Sequence, residues 1–371
     1  MRLKRFQLRH YRNYEHIEIE AADQVNIFIG PNAQGKTNLL ESIYVLALTK
    51  SHRTHKDKEL IQWEQQQARL SGELDRKYGI CRLDLMISQQ GKKANLNGLE
   101  QKKLSGYIGA LNVVMFAPED LEIVKGSPGV RRRFLDMEIA QVYPSYVHEL
   151  TQYQKILAQK NQQLKQFDRK VHTDMLDIWN EQLANSGSKI MRKRQQFIDK
   201  LQKWAEQIHF SITEGREKLE IVYHPSIPLL DDETMVFEQF MVKLTQNQEQ
   251  ERRRGMSLYG PHRDDLQFFI NGKEVQTFGS QGQQRTTALS VKLAEIELIH
   301  QEVGEYPILL LDDVLSELDE NRQTKLIETF QEKVQTFITT TGLESVNLQK
   351  LQGAKLFQVK EGWIDNSGYI T

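Results

Sequence analysis

The stretch GPNAQGKT at positions 30–37 has the spacing of a phosphate-binding loop: glycine, any four residues, glycine, lysine, threonine. VNIFI precedes it and NLLESIYVLAL follows it, so the loop is predicted to join a strand to the N-terminus of a helix, where backbone N–H groups converge on an anion. Lys36 would reach the β- and γ-phosphates of a nucleotide, and the Thr37 hydroxyl would ligate Mg²⁺. The predicted nucleotide contacts are Gly30, Pro31, Asn32, Ala33, Gln34, Gly35, Lys36, Thr37 and Asn38.

Such a loop implies a second, acidic group on a neighbouring parallel strand, and ILLLDD at 308–313 supplies it. Four consecutive apolar residues predict a buried strand, which brings Asp312 to its carboxyl end. We expect Asp312 to hold Mg²⁺ together with Thr37. Asp313 follows immediately and is a second catalytic candidate.

Two further stretches resemble, in their type and order, the ATP-binding cassette superfamily: FGSQGQQR, which opens a predicted helix, and SELD, which follows the acidic strand. The resemblance implies that Ser280, Gln281 and Gly282 contact the γ-phosphate bound by the opposite subunit of a dimer. It also implies a dimer contact over residues 316–319, with Asp319 beside the nucleotide. Taken alone, GSQGQ is also a common polar helix N-cap.

The longer motifs together resemble the bacterial RecF family of DNA replication and repair proteins. They are RLKRFQLRHYRNYEHIEIE, GPNAQGKTNLLESIYVLALTKSHRT, FAPEDLEIVKGSPGVRRRFLD, LYGPHRDDL, GSQGQQRT and LLLDDVLSELD. The resemblance implies a cytoplasmic, ATP-dependent, DNA-binding ATPase that is related to SMC proteins and lacks their long arms. It further implies an ATP-dependent homodimer acting with RecO and RecR in recombinational repair at gaps and in SOS induction.

The sequence departs from the cassette pattern in three places. Most cassette ATPases have glutamate after the Mg²⁺-binding aspartate; Asp313 is one methylene shorter, which predicts slow turnover. The glutamine that related ATPases carry between their lobes is replaced by FAPEDL, so we expect Glu119 or Asp120 near the nucleotide. The switch histidine is replaced by ITTTG, so Thr340 or Thr341 is expected to hydrogen-bond the γ-phosphate.

Four basic clusters are candidates for DNA phosphate contacts: residues 50–58, 131–133, 191–194 and 252–254. A single cluster of this kind is more often a solvated surface. The first cluster follows the helix after the phosphate loop and is therefore preferred, with Lys50, Arg53, Lys56 and Lys58 as contacts. The sequence contains no stacked-aromatic module or zinc finger, so sequence-specific base reading is not expected.

Three other functions share parts of this pattern. A transporter ATPase subunit would need a membrane partner and usually carries leucine-serine-glycine-glycine-glutamine rather than GSQGQ. A GTPase would carry an asparagine-lysine-any-aspartate motif, which the sequence lacks. An ATP-binding scaffold without turnover is the most serious alternative, because an intact site favours hydrolysis but does not prove it.

The amino-acid composition limits which classes of fold and function are possible. The 371 residues are 39 % hydrophobic and 27 % charged, which favours two folded lobes over a disordered chain. The net charge of −1 means that DNA must be met by local basic patches. A single cysteine, Cys81, excludes an internal disulfide and fits a reducing cytoplasm. No apolar run suggests a signal peptide or a membrane span.

The elements that position these residues predict an α/β fold: an ABC-type P-loop ATPase head with an inserted helical lobe and no long coiled-coil arm. Residues 1–118 are predicted to form the first part of ATPase lobe I, with the phosphate loop. Residues 119–284 form helical lobe II, whose long amphipathic helices span about 144–212 and whose end carries the signature motif. Residues 285–371 complete lobe I with the acidic strand.

Overall fold

The structure, a computed structural model, describes residues 1–165, 173–230, 232–317, 323, 326–327, 333–342 and 353–369; at 173–174 and 316–317 it describes the backbone alone. The chain divides into two compact units, Met1–Asp120 with Leu289–Thr371, and Leu121–Ala288. Within the described ranges, no helix has the length and apolar character needed to cross a membrane.

The first unit contains two six-stranded sheets. The strands of the antiparallel sheet are β1 (Arg2–Tyr11), β2 (Tyr14–Glu20), β4 (Gln67–Arg76), β5 (Gly79–Ser88), β6 (Gly91–Leu96) and β7 (Leu99–Glu100), in the order β2-β1-β4-β5-β6-β7. The strands of the second sheet are β3 (Val25–Ile29), β8 (Val113–Phe116), β12 (Ile308–Asp312), β13 (Thr336–Thr340), β14 (Lys355–Lys360) and β15 (Trp363–Tyr369), in the order β15-β14-β3-β13-β12-β8.

The two sheets differ in how they are buried. In β1, Phe6 and Leu8 are buried while Arg5, Gln7 and Arg9 are exposed, the alternation of a sheet with one solvated face. The second sheet is parallel except at its β15 edge, and all five residues of β12 are buried. Continuous apolar runs in VNIFI and ILLLD are typical of parallel strands covered on both faces, and both predicted strands are confirmed.

Helix α1 (Lys36–Leu48) packs against strands of both sheets. Its sequence is apolar on almost every side, so it has no single hydrophobic stripe, and eleven of its thirteen residues are buried. Because β3, β13 and β12 are parallel neighbours, their carboxyl ends meet at one edge of the sheet, next to the start of α1. The fold therefore brings the loop after β3 and the aspartates after β12 to the same edge.

The second unit combines helices with a small antiparallel sheet of β9 (Leu219–His224), β10 (Asp265–Ile270) and β11 (Lys273–Glu274), in the order β11-β10-β9. Its helices are α2 (Leu121–Lys125), α3 (Pro128–Val142), α4 (Pro144–Lys165), α5 (Thr173–Ile212), α6 (Glu233–Gln246), α7 (Gln248–Arg254) and α8 (Val275–Phe278). The predicted Asn271-Gly272 hairpin joins β10 to β11, whereas β9 was not predicted. Helix α9 (Gln281–Val303) starts in this unit and continues into the first.

Candidate nucleotide-binding site

The phosphate loop, residues 30–35, runs from the end of β3 to the N-terminus of α1 in a path that only glycine permits at two positions. A Cβ on Gly30 would lie 2.2 Å from the Val359 carbonyl oxygen of β14. Gly35 has φ +114°, and a Cβ there would lie 2.5 Å from the Asn13 amide nitrogen. The glycine spacing of the motif is therefore required by the close approach of the Val359 backbone to Gly30, and by the positive φ of Gly35 beside the Asn13 side chain.

Two turns of the first unit hold the loop in place through Gln34. Asn13, between β1 and β2, donates from Nδ2 to the Gln34 carbonyl at 3.1 Å. Between β14 and β15, the Gly362 N–H donates to the same carbonyl at 3.2 Å, and the Glu361 N–H donates to Gln34 Oε1 at 2.7 Å. Asn13 Oδ1 also accepts a bond from Asn38 of α1 at 2.8 Å. These supports fix the shape of the loop from both sides.

Lys36 is the one cation of the predicted loop. Its Nζ donates to the carbonyls of Gly30 at 2.5 Å and Pro31 at 2.7 Å, so the ammonium group lies across the mouth of the loop. Burial lowers the pKa of Lys36, while the charges of Asp313 and Asp312 act in the opposite direction. Lys36 and both aspartates therefore share one electrostatic environment.

Asp312, the last residue of β12, connects α1 to the sheet edge. Its Oδ1 accepts a hydrogen bond from the Thr37 hydroxyl at 3.1 Å and another from the Thr339 hydroxyl at 2.7 Å. The Thr339 hydroxyl oxygen also accepts a bond from the Asp313 N–H at 3.0 Å. Asp313 has φ +54°, a left-handed conformation that aspartate adopts more readily than most residues. Thr339 thus orients both acidic residues.

The donor set around Asp312 fits a divalent cation. The side chain is only 5 % exposed, and burial raises its pKa despite the two hydroxyl bonds. Among the described residues, none forms an ion pair with it within 4.0 Å. A buried carboxylate beside a threonine hydroxyl, at the N-terminus of a helix, is the oxygen-rich environment that Mg²⁺ uses in nucleotide sites.

The residues expected to replace the missing glutamine and histidine take different positions. Burial raises the pKa of Asp312 and the two hydroxyl bonds lower it. The charge of Glu119 raises it further, as a smaller effect. Asp120 instead accepts a bond from the nearby Ala117 N–H at 2.8 Å. The Thr340 hydroxyl donates to the Gly342 carbonyl at 2.8 Å, and Thr341 is exposed.

Sequence reasoning missed Thr339, which bonds Asp312 directly. Three threonines occur in succession in TFITTTG, and nothing local distinguishes them. The parallel register, in which Asp312 pairs with Thr339, decides between them. That pairing joins segments far apart in the chain and leaves no local sequence signal. Asn13 and the 361–362 turn were missed for the same reason.

A buried ion pair links α1 to the segment that follows it. The Arg12 guanidinium forms two bonds to the Glu41 carboxylate, at 2.9 and 2.7 Å, and Glu41 is fully buried. Glu41 also accepts a bond from the Ser51 hydroxyl at 2.6 Å, and Arg12 donates to the Glu59 carbonyl at 2.8 Å. Although burial alone would raise it, the bonds from Arg12 and Ser51 hold the pKa of Glu41 below its usual value.

This network attaches the predicted DNA segment, residues 50–58, to α1 through Ser51 and Glu41. Lys50, Lys56 and Lys58 are exposed, and Lys56 pairs with Glu59 at 3.4 Å on the surface. Arg53, the fourth predicted contact, donates to Asn38 of α1 at 3.0 Å. Its charge also lowers the pKa of Asp312, although less than the two hydroxyl bonds do. Arg53 is therefore oriented toward the nucleotide loop.

Two of the other basic clusters contain an arginine that is part of the core of the second unit. Arg131 is buried and bonds Asp265 through both guanidinium ends, at 2.7 and 2.9 Å. Arg194 is buried against Asp136 at 2.9 Å and Asp264 at 3.4 Å. Their charges are neutralised inside the fold, so these residues hold α3 and α5 in place rather than face a ligand.

The signature residues lie at the start of α9. Ser280 and Gln283 form reciprocal bonds: the Gln283 N–H donates to the Ser280 hydroxyl at 3.2 Å, and the Ser280 N–H donates to Gln283 Oε1 at 2.9 Å. This is a capping box, and it fixes the exposed Ser280 hydroxyl at a helix N-terminus beside the exposed Gln281. Gly282 is half-buried. Asp319, predicted for the same dimer contact, lies outside the described residues.

Comparisons of sequence and of structure with known proteins indicate the same protein family. Residues 2–362 match the model of the RecF/RecN/SMC N-terminal domain. The DNA replication and repair protein RecF of Bacillus mycoides (strain KBAB4) is 56 % identical over 369 residues, 98 % of each chain. The same-named protein of Halalkalibacterium halodurans is 53 % identical, covering 99 % of this chain and 100 % of its own.

A solved structure described as "the recombination mediator protein RecF-ATP in RecFOR pathway" superposes with a TM-score of 0.92 at 34 % identity, covering 98 % of this chain and 97 % of that one. The predicted fold class, an α/β ATPase head of the ABC and SMC type, is thereby confirmed. Among the described residues, the helices that come nearest to an arm are α4, of 22 residues, and α5, of 40, and no long coiled coil is present.

The buried charge of Asp312 predicts that Asp312→Asn stabilises the ligand-free protein. A carboxyl whose pKa is raised by folding destabilises the fold once it ionises, so the penalty appears as the pH rises through the ordinary value of 3.8 and beyond. Asparagine keeps the Oδ1 acceptor and carries no charge.

Urea unfolding at pH 7 should give a higher midpoint for the Asp312→Asn variant than for the wild type, and the difference should shrink in acid. Asp365→Asn, at an exposed site, is the matched control. A lower midpoint for Asp312→Asn at pH 7 would contradict this.

Proposed function

The chain belongs to the RecF family of DNA replication and repair proteins, and on that premise we propose that it is an ATP-dependent DNA-binding protein of recombinational repair and replication restart. The observation that carries the proposal is the Thr37–Asp312 hydrogen bond, because it joins the phosphate loop and the acidic strand in one site. Family membership indicates the cellular process, DNA repair and replication, and the site indicates the nucleotide chemistry.

In this proposal ATP binds at the loop, residues 30–38. Lys36 and the loop N–H groups contact the phosphates, while Thr37 and Asp312 hold Mg²⁺. Bound Mg²⁺ would place a positive charge directly on the Asp312 carboxylate, which forms no ion pair with a described residue, and on the phosphates. The relative described as RecF-ATP supports ATP as the nucleotide.

We propose that Asp313 orients the attacking water and that turnover is slow. Aspartate reaches roughly 1.5 Å less far than the glutamate of most cassette ATPases, one carbon–carbon bond. The Asp313 backbone is held in a left-handed conformation with its N–H bonded to Thr339, which leaves little freedom to compensate for the shorter side chain. Hydrolysis would then limit how long the protein stays bound to DNA, and DNA binding would be its main activity.

A dimer completes the site. Ser280 is exposed at the N-terminus of a 23-residue helix, a position suited to an anion from another molecule. We propose that it contacts the γ-phosphate of ATP held by a second copy together with Gln281 and Gly282, and that Asp319 and Thr340 also take part in nucleotide binding. Two bound ATP molecules would then lie in a twofold-symmetric interface that forms with ATP and separates after hydrolysis.

DNA is proposed to lie against the basic segment of each copy in that dimer, with Lys50, Lys56 and Lys58 on backbone phosphates and Arg53 at the boundary with the nucleotide site. The dimer would act as a clamp at gaps in the cytoplasm, with RecR and RecO as partners, and would support SOS induction. The similar solved structure is described as RecF-ATP in the RecFOR pathway, and this supports the two partners.

The rate of ATP hydrolysis separates this proposal from a scaffold without turnover. The wild-type, DNA-stimulated rate is expected to be well below the roughly 10 per second of an average enzyme, because misplacement by about 1 Å can lower a rate about a hundredfold. Asp313→Asn should remove what remains, since it keeps the size of the side chain and loses its charge. A fast wild-type rate, or a variant with an unchanged rate, would contradict the role of Asp313.

Ser280→Arg tests the dimer. The variant should bind ATP like the wild type, because Ser280 is not among the loop residues, but a bulky cation should prevent the closed interface. Sedimentation velocity with ATP and Mg²⁺ should show a wild-type dimer and a monomeric variant. Ser145→Arg, at an exposed serine in the first turn of α4, should still dimerise, and Lys36→Ala should lose both nucleotide and dimer. A Ser280→Arg dimer as stable as wild type would mean that GSQGQ only caps its helix.

A further inference from the structure

Trp63 is 91 % exposed at the tip of the turn formed by residues 62–65, and it makes no hydrogen bond, ion pair or ring contact with any described residue. A single exposed apolar side chain is ordinary on a protein surface. Tyr78 is equally exposed, on the turn between β4 and β5. Trp63 differs from Tyr78 in what surrounds it.

The turn that carries Trp63 is attached to β1 on the side before the indole and is closed by a hydrogen bond of its own. The Gln62 N–H donates to the His10 carbonyl at 2.9 Å, the Gln62 side chain bonds the His10 ring at 3.2 Å, and the Gln65 N–H donates to the Gln62 carbonyl at 3.1 Å. Ile61, immediately before, is buried and pairs with Tyr11. The indole is therefore presented on a fixed support, so little entropy is lost when a planar group stacks on it.

Trp63 lies at the same end of the antiparallel sheet as the basic segment. The pairing of Arg9 with Arg69, and of Gln67 with Ser88, brings the end of β1, the start of β4 and the β5–β6 turn to this end. Lys92, just after that turn, donates to the Thr49 carbonyl at 2.5 Å at the start of the basic segment. Tyr78 lies at the opposite end of the sheet, after Arg76.

The chemistry of the turn distinguishes a base from a phosphate. Glu64, next to Trp63 in the chain, carries an exposed carboxylate. Carboxylates repel phosphates but accept hydrogen bonds from the amino groups of bases. The cations that could hold a DNA backbone, Lys56 and Lys58, precede the turn. A strand held by these lysines would present a base, not a phosphate, to the indole.

We propose that Trp63 is a stacking platform for an unpaired DNA base, an inference that depends on the DNA binding proposed above. The face of a base is available for stacking on an aromatic side chain only where the base is not enclosed in a duplex. The site therefore favours DNA with unpaired bases, as at a gap, and does so without regard to sequence because every base has an aromatic face. The lysines supply attraction to any DNA, and Trp63 supplies the preference for unpaired DNA.

The test compares Trp63→Ala with wild type and with Tyr78→Ala, an aromatic residue of equal exposure at the other end of the sheet. Dissociation constants are measured at one salt concentration, with ATP and Mg²⁺, for a gapped duplex, an unstructured single strand and a fully paired duplex. Trp63→Ala should weaken binding to the first two on the order of five- to a hundredfold, the effect of losing one stacked base. It should leave binding to the paired duplex and the salt dependence unchanged, since no cation is lost.

Fluorescence gives an independent readout, because stacking on a base quenches an indole. Single-stranded DNA should quench the wild type and Trp363→Phe, a change at a 71 % exposed tryptophan of β15, but should quench Trp63→Phe much less. Trp63→Ala binding gapped DNA like the wild type, or weakened equally on all three DNAs, would overturn the base contact alone. A wild-type protein that binds none of the DNAs would overturn the proposed function and the base contact with it.

Discussion

The structure of this site depends on one buried carboxylate. Asp312 accepts hydroxyl bonds from Thr37 of α1 and Thr339 of β13, and so joins the helix after the phosphate loop to two neighbouring strands of the parallel sheet. The carboxylate is nearly excluded from water and has no ion-pair partner among the described residues, and the proposed Mg²⁺ would balance its charge when a nucleotide is bound. The glycines of the loop and the turns that hold Gln34 set the distance at which phosphates would meet that cation.

The turn between β1 and β2 supports the nucleotide loop and the basic segment at once. Asn13 bonds the Gln34 carbonyl of the loop, and its neighbour Arg12 holds Glu41 and the Glu59 carbonyl. Because Glu41 also holds Ser51, residues 50–60 are fastened to the same helix that begins with Lys36 and Thr37. This shared support gives nucleotide binding a physical route to the residues proposed to contact DNA.

The sequence was sufficient where the information is local. Runs such as VNIFI and ILLLD gave the parallel strands, the apolar stretch after GKT gave a buried helix, and the glycine spacing gave the loop. Thr339 could not be separated from Thr340, because the register between β12 and β13 is set by packing over the whole sheet. Likewise, the cluster at 131–133 looks basic in sequence, but Asp265 neutralises Arg131 from more than a hundred residues away. Trp63 was missed because the residue that holds its turn, His10, lies 52 positions away in the chain from Gln62.

The most direct test of the account is the affinity of the wild-type protein for gapped, single-stranded and double-stranded DNA, measured with and without ATP and Mg²⁺ at controlled salt. If the loop, Asp312 and the basic segment form one ATP-dependent system, ATP with Mg²⁺ should tighten binding, most of all to gapped DNA, and raising the salt should weaken it. The same affinity with and without the nucleotide, on all three DNAs, would contradict the central claim that the ATP site controls DNA binding.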